Sequence, residues 1–292
     1  MSERAIKVSK KDLYIEPISS CNLQCRMCYS KVINGGDAKI LSEKDILDFV
    51  ERFYVFFKKK FNIYWCGTGE IFLHKDFPSI INVLNKKYNA KITHDIMTNG
   101  TIDRLNEIED LGNISFFVSI DGLKKFHEWN RGKGTYDKTI AFCKKAVDSG
   151  CRKLEVRCLV TKDNVFSLAE FEKELKLKIS PFVKMGINIP YAPADFTGTY
   201  SQCFSKNFDD SRVLPKKEML SLIHKIFGSR YNSDIEITKP IILSLCLLPF
   251  GVFSCCDGIV KLGCIVTNLK SLANNLANSE EKCKICPLYL KC

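Results

Sequence analysis

Histidine is scarce in this 292-residue chain, with four copies, and the first, His74, stands far from the N-terminal cysteines. A zinc knot there would lack a nearby fourth ligand. Long apolar runs are also missing: the longest uncharged stretch, Pro240 to Cys256, is interrupted by Pro240, Ser244, Pro249 and Gly251. It is too short and too broken to span a membrane. Met1 to Asp12 is polar and lysine-rich, without the apolar core or small-residue cleavage site of a secretory signal. The chain therefore reads as cytoplasmic. No internal repeat or low-complexity segment occurs, and a hydrophobic content of 46% excludes a disordered chain. The net charge of +11 favours an acidic partner, but the lysines (Lys58 to Lys60, Lys124, Lys125, Lys144, Lys145) are scattered. Nucleic acid is not favoured.

Cysteine is abundant. Fifteen in a chain read as cytoplasmic point to metal or redox chemistry, because disulfides seldom persist there. Cys21, Cys25 and Cys28 form one group. Cys246, Cys255, Cys256, Cys264, Cys283, Cys286 and Cys292 crowd the tail, while Cys66, Cys143, Cys151, Cys158 and Cys203 read as small core hydrophobes.

From Leu13 to about Tyr191, β-rich runs alternate with amphipathic helical runs, the pattern of parallel βα units. Six strands are expected, at Leu13–Ile18, Asn62–Cys66, Lys91–Met97, Ile114–Ile120, Lys153–Thr161 and Phe182–Pro190. One helix starts at Ser42, capped against Asp45, and presents Ile46, Phe49, Phe53 and Phe56 on one face; another runs from near Thr135 to Gly150. Six units are two short of a closed barrel, leaving an open partial barrel or a doubly wound sheet. The expected division is a tail over 1–12, the βα domain over 13–192, a linker with one helix over 193–240, and a cysteine-rich domain over 241–292.

The segment Cys21-Asn22-Leu23-Gln24-Cys25-Arg26-Met27-Cys28-Tyr29 has the spacing C-x3-C-x2-C. Three thiolates hold three irons of a four-iron cluster and leave the fourth iron open. With its aromatic residue after the third cysteine, this segment resembles the radical S-adenosylmethionine superfamily. Gly67-Thr68-Gly69-Glu70 is similar to the family's glycine-glycine-glutamate motif, with Ile71 where proline is usual. Thr98-Asn99-Gly100 and Ser119-Ile120-Asp121-Gly122, followed by His127 and Arg131-Gly132, look like family segments at later strand ends. The resemblance implies a partial (β/α)6 TIM-like barrel, a [4Fe-4S] cluster on Cys21, Cys25 and Cys28, and S-adenosylmethionine held near Thr68, Gly69, Glu70, Asn99, Ser119, Asp121 and Arg131. It also implies cleavage of that cofactor to a deoxyadenosyl radical and a low-potential donor such as flavodoxin or ferredoxin. Phe116, Phe117, Val118, Val156 and Val160 are candidates for the barrel's inner wall, with core packing the favoured reason for most of them.

The tail looks like the SPASM or Twitch extension of this superfamily, which holds auxiliary iron-sulfur clusters. The resemblance assigns at least one auxiliary [4Fe-4S] cluster to Cys246, Cys264, Cys283 and Cys286, leaving Cys255, Cys256 and Cys292 over; a zinc ribbon is the competing reading. Relatives with this layout include aminocyclitol alcohol dehydrogenases, sulfatase-maturating enzymes and peptide-crosslinking maturases. A short region before the first strand favours a small hydroxylated or amino-sugar-like substrate over a peptide. The alternatives are an epimerase using Cys255 or Cys256 as hydrogen donor, a peptide maturase, and a non-enzymatic zinc or iron-sulfur protein.

Overall fold

The computed structural model describes residues 6–28, 39–189, 210–228, 241–248, 251–253, 261–263 and 271. The strands are β1 (Ile6–Ile15), β2 (Phe61–Trp65), β3 (Ile92–Thr98), β4 (Ile114–Ser119), β5 (Lys153–Leu159), β6 (Lys184–Asn188), β7 (Ile241–Leu248), β8 (Gly251–Phe253) and β9 (Lys261–Gly263). The helices are α1 (Glu43–Phe57), α2 (Phe77–Tyr88), α3 (Lys124–Arg131), α4 (Thr135–Asp148), α5 (Leu168–Lys178) and α6 (Lys216–Phe227). The nine strands belong to one sheet ordered β6-β5-β4-β3-β2-β1-β7-β8-β9. β1 to β6 are mutually parallel, β7 is parallel to β1, and β8 and β9 run antiparallel. β1 begins at Ile6, earlier than apolar alternation marks it, because its lysine-rich first half pairs with β7.

Strand order decides between the two architectures left open by the pattern. Each new strand joins on the same side of the last, so right-handed crossovers carry the successive helices to one face. A doubly wound sheet needs a reversal of order, which β1 to β6 do not make. The six-stranded parallel sheet is unclosed, as in a partial TIM-like barrel, with helices on its convex side.

Side-chain alternation sorts the two faces. β5 alternates half-buried and buried positions, with Leu154, Val156 and Cys158 buried. Phe116 meets Phe142 of α4 edge-on at 5.5 Å, so Phe116, and Val118 and Val156 in register with each other, face the helices. They are core residues and do not form the inner wall; of those strand residues only Phe117 lies on the open face. Most of that face is polar, with Met97 and Leu159 as apolar exceptions toward the strand ends. Asn62 donates to Asp95 at 3.0 Å, Arg152 donates to Asp95 at 2.9 Å, and Tyr14 stacks on Tyr64 at 4.5 Å.

Local signals account for the helix ends. The Ser42 hydroxyl accepts from the Asp45 amide at 3.1 Å, and Gly150 has φ +77 just past α4. On α1 the buried stripe is Ile46, Phe49, Val50 and Phe53, whereas Phe56 is exposed and packs on Phe57. The 3.6-residue period carries Phe56 to the edge of the stripe and brings Phe57 inward.

His94 is enclosed between β3 and α2. The Trp65 indole N–H donates to its Nδ1 at 2.9 Å, and its Nε2 lies 3.0 Å from Asn85 Oδ1, which fixes the neutral tautomer. Burial, with Arg152 nearby, pushes His94 down to about 3. The unfolded chain takes up a proton that the fold refuses, so stability is full above about pH 6.5 and falls as pH drops toward 3. Between pH 7 and 5 this group alone is expected to cost about 2 kcal/mol. Urea midpoints at the two pH values test it: the His94→Gln variant is expected to show a smaller acid loss than the wild type, and equal losses contradict the assignment.

Candidate active site

The Cys21–Cys28 segment leaves the end of β1 and is tied to α3 by backbone and side chain. Asn130 carries the tie: its carbonyl accepts from the Arg26 amide at 2.8 Å, and its Oδ1 accepts from the Met27 amide at 2.9 Å. Arg26 Nε also donates to the Trp129 carbonyl at 2.9 Å. The cysteine loop is thus shaped by a helix about a hundred residues later in the chain.

The loop after β2 packs against the same segment. A Cβ on Gly69 would come within 2.3 Å of the Ile18 carbonyl oxygen and 2.5 Å of that of Ser20. The glycine is therefore required by chain-on-chain packing, a reason distinct from ligand approach. The Glu70 amide donates to the Ser20 carbonyl at 2.8 Å. Under Gly67 lies Glu16, which pattern reading passed over. Its carboxylate accepts from the Thr68 amide at 2.8 Å and from the Thr68 hydroxyl. Burial raises Glu16 against those two bonds.

Glu70 is buried and joins β2 to β3. Its Oε1 accepts from the Thr98 hydroxyl at 2.6 Å and its Oε2 from the Asn99 amide at 2.7 Å. Burial raises its pKa, opposed by these bonds and by the Phe72 amide. Asn99 Nδ2 donates to Asn22 Oδ1 at 3.0 Å and lies 3.9 Å from the Cys21 sulfur.

Asp121, at the end of β4, is completely buried. It receives Asn130 Nδ2 at 2.7 Å, Arg131 Nε at 2.6 Å, Arg131 Nη2 at 3.1 Å and the Leu159 amide at 3.2 Å. Those four donors occupy both oxygens, so its part at the site is to position Asn130 and Arg131. Burial works against the Asp121 charge, yet Arg131 outweighs it and holds the pKa below the usual carboxylate range. Burial likewise opposes the Arg131 charge, while Asp121 and the thiols of Cys25 and Cys28 outweigh it. The guanidinium places positive charge beside the cysteines.

Cys21, Cys25, Cys28, Thr68, Gly69, Glu70, Asn99, Ser119, Asp121 and Arg131 all line one cavity of about 290 Å³ at the C-terminal ends of β1 to β5. Met97, Asn130, Arg157, Leu159 and Asn188, which the motifs do not mark, also line it. Arg157 carried a faint signal, since Lys153, Glu155 and Arg157 alternate with buried apolar residues in β5. The donor set suits a thiolate-held iron-sulfur cluster. Burial pushes the Cys25 thiol up to about 11, with Arg131 opposing, so binding of iron there releases a proton. Among the described residues no group of three or more His, Cys, Asp or Glu is arranged around a single ion. In the tail, Cys246 stands in β7 opposite Tyr14 in register. Cys255, Cys256, Cys264, Cys283, Cys286 and Cys292 lie outside the described residues. No described helix is long and apolar enough to cross a membrane.

Three thiols at the rim of a parallel βα sheet, beside a carboxylate loop and a buried Arg-Asp pair, define a cluster-bearing α/β enzyme class. The radical SAM superfamily model matches residues 15–174, more than half of the chain, and the chain belongs to that superfamily. A probable GTP 3',8-cyclase of Methanococcus aeolicus is 23% identical over 97% of this chain and 94% of its own length. A tungsten-containing aldehyde ferredoxin oxidoreductase cofactor-modifying protein of Pyrococcus furiosus is 33% identical over 118 residues, 39% of this chain and 31% of that protein. Among solved structures, anSMEcpe with bound S-adenosylmethionine (AdoMet) superposes with a TM-score of 0.69 at 19% identity, covering 94% of this chain and 86% of that one. The same protein is also known with AdoMet and a Cp18Cys peptide.

Proposed function

We propose that this radical SAM enzyme is an oxidoreductase acting on a small hydroxylated or amino-sugar-like substrate. The observation that supports it is the gathering of the three cysteines, the Glu70 loop and the Asp121–Arg131 pair around one cavity. Cys21, Cys25 and Cys28 would hold the cluster, and Glu70, Asn99 and Ser119, which line the same cavity, would contact the cofactor. When bound, the cluster and S-adenosylmethionine supply the deoxyadenosyl group that removes a hydrogen atom from substrate. Arg131 offsets the negative charge of the thiolates, and Asn130 fixes the backbone between them. Tail residues Cys246, Cys264, Cys283 and Cys286 are proposed to carry an auxiliary iron-sulfur acceptor for the electron released in oxidation.

Anaerobic reconstitution tests this reading by iron content and by deoxyadenosine release under reducing conditions. About eight irons per chain are expected for two four-iron clusters. A content near four would remove the auxiliary acceptor, and with it the oxidation. Deuterium entering the product from heavy water would replace oxidation by epimerisation through Cys255 or Cys256. A peptide substrate is the second reading, favoured by the fold shared with anSMEcpe, which has been seen with a peptide; deoxyadenosine release stimulated by peptides and not by aminocyclitols would select it.

A further inference from the structure

Two guanidinium groups line the cavity, and they differ in what they have left to offer. Arg131 spends Nε and Nη2 on Asp121 and is 15% exposed. Arg157, across the sheet on β5, is 37% exposed, and its one ion contact among the described residues is Nε to Glu155 Oε1 at 2.8 Å. That contact is not aligned as a hydrogen bond, and the buried Nε–H has no acceptor among the described residues. The same Glu155 also holds Lys153, at 2.7 Å. One carboxylate shared by two cations leaves the trio with an uncompensated positive charge.

The local packing keeps the Arg157 head extended over the open face. Lys153 and Arg157 both lie over the Phe117 ring, at 5.0 and 4.9 Å from its centroid. On the neighbouring strand, Gly186 is in register with Arg157, and a Cβ there would come within 2.7 Å of Glu155 Oε1 and 3.2 Å of Arg157 Nη1. Glycine at that place gives the two side chains room to lie across β6. A planar, permanently charged fork held on an aromatic floor, facing a cavity, matches two anionic oxygens of a ligand.

We propose that Arg157, seated on Phe117 and backed by Glu155, is the substrate-anchoring residue, and that the substrate carries an anionic group, a carboxylate or a phosphate, which the Arg157 terminal nitrogens bind. This deepens the enzymatic reading above and rests on it for the word substrate. The anion site itself is a property of the folded chain.

Modification of the reconstituted full-length protein by phenylglyoxal, followed by peptide mass spectrometry, tests it. Arg152, exposed and paired with Asp95, is the internal reference. Millimolar inorganic phosphate or succinate is expected to slow modification of Arg157 at least about fivefold relative to Arg152, as bidentate capture of the fork implies. Protection by phosphate alone assigns a phosphorylated ligand, and protection by succinate alone a carboxylate. Equal modification with and without both anions overturns the proposal. So does full protection by S-adenosylmethionine alone, which would give the fork to the cofactor. Failure of the enzymatic reading is seen separately, as absence of deoxyadenosine from the wild type whatever the protection pattern.

Discussion

A chain with Cys21, Cys25 and Cys28 all replaced by alanine is expected to lose about four irons per molecule and to release no deoxyadenosine above background. The size of the effect follows from the ligand count. Three thiols are all that the loop presents to the cavity, and alanine offers no donor. Asn130 and Gly69 hold the loop in place without them, so the fold should survive, with an unchanged far-ultraviolet circular dichroism spectrum. Retained iron would be the part that the tail holds. Deoxyadenosine released at the wild-type rate from this variant would remove the N-terminal site as the seat of the chemistry.

The second large effect is on stability. Asp121 is fully buried and Arg131 nearly so, and their pair is closed by Asn130 and the Leu159 amide. Asp121→Ala leaves the guanidinium buried without its partner, a loss expected at about 3–5 kcal/mol, read from the denaturant midpoint. Asp121→Asn is expected to be no milder, because its amide nitrogen would point a donor at donors. The same change frees Asn130, which shapes the cysteine loop, so iron retention should fall along with stability. Removing both charges by Asp121→Leu with Arg131→Met is expected to recover much of the stability, since a buried ion pair contributes little over a packed apolar pair. Iron retention should not recover with it. A single Asp121→Ala variant as stable as the wild type would show that the pair carries no structural weight.

Much of the site was legible because its chemistry is written in short motifs. C-x3-C-x2-C, the Gly-Thr-Gly-Glu loop, and the polar ends of β3 and β4 each sit where one strand stops. Parallel strands stop on the same rim, so adjacency in space follows from the βα pattern. What was not legible depends on partners distant in sequence. Glu16 carries no motif, and its part shows only where Thr68 and Gly67 lie above it. Asp121 and Arg131 read as residues near the cofactor, and that the carboxylate's hydrogen bonds go to Arg131, Asn130 and the end of β5 is visible only in the fold. For Phe116, Val118 and Val156 the wall and core readings stayed open, because apolar content does not say which face a run presents when both faces carry bulky groups.

The amino-acid order alone determined the six parallel strands, the capped start of α1, the stop at Gly150 and the three-thiol set, because each depends on residues a few positions apart; between β3 and β4 the expected helix is only the short turn Leu105–Glu107. Only the tertiary structure decided that the sheet curls with its helices on one side. It also decided that Phe117 faces inward while Phe116 faces α4, and that Asn130 grips the cysteine loop. Those outcomes turn on strand order and register between segments tens of residues apart, where a shift of one position sends every side chain to the opposite face.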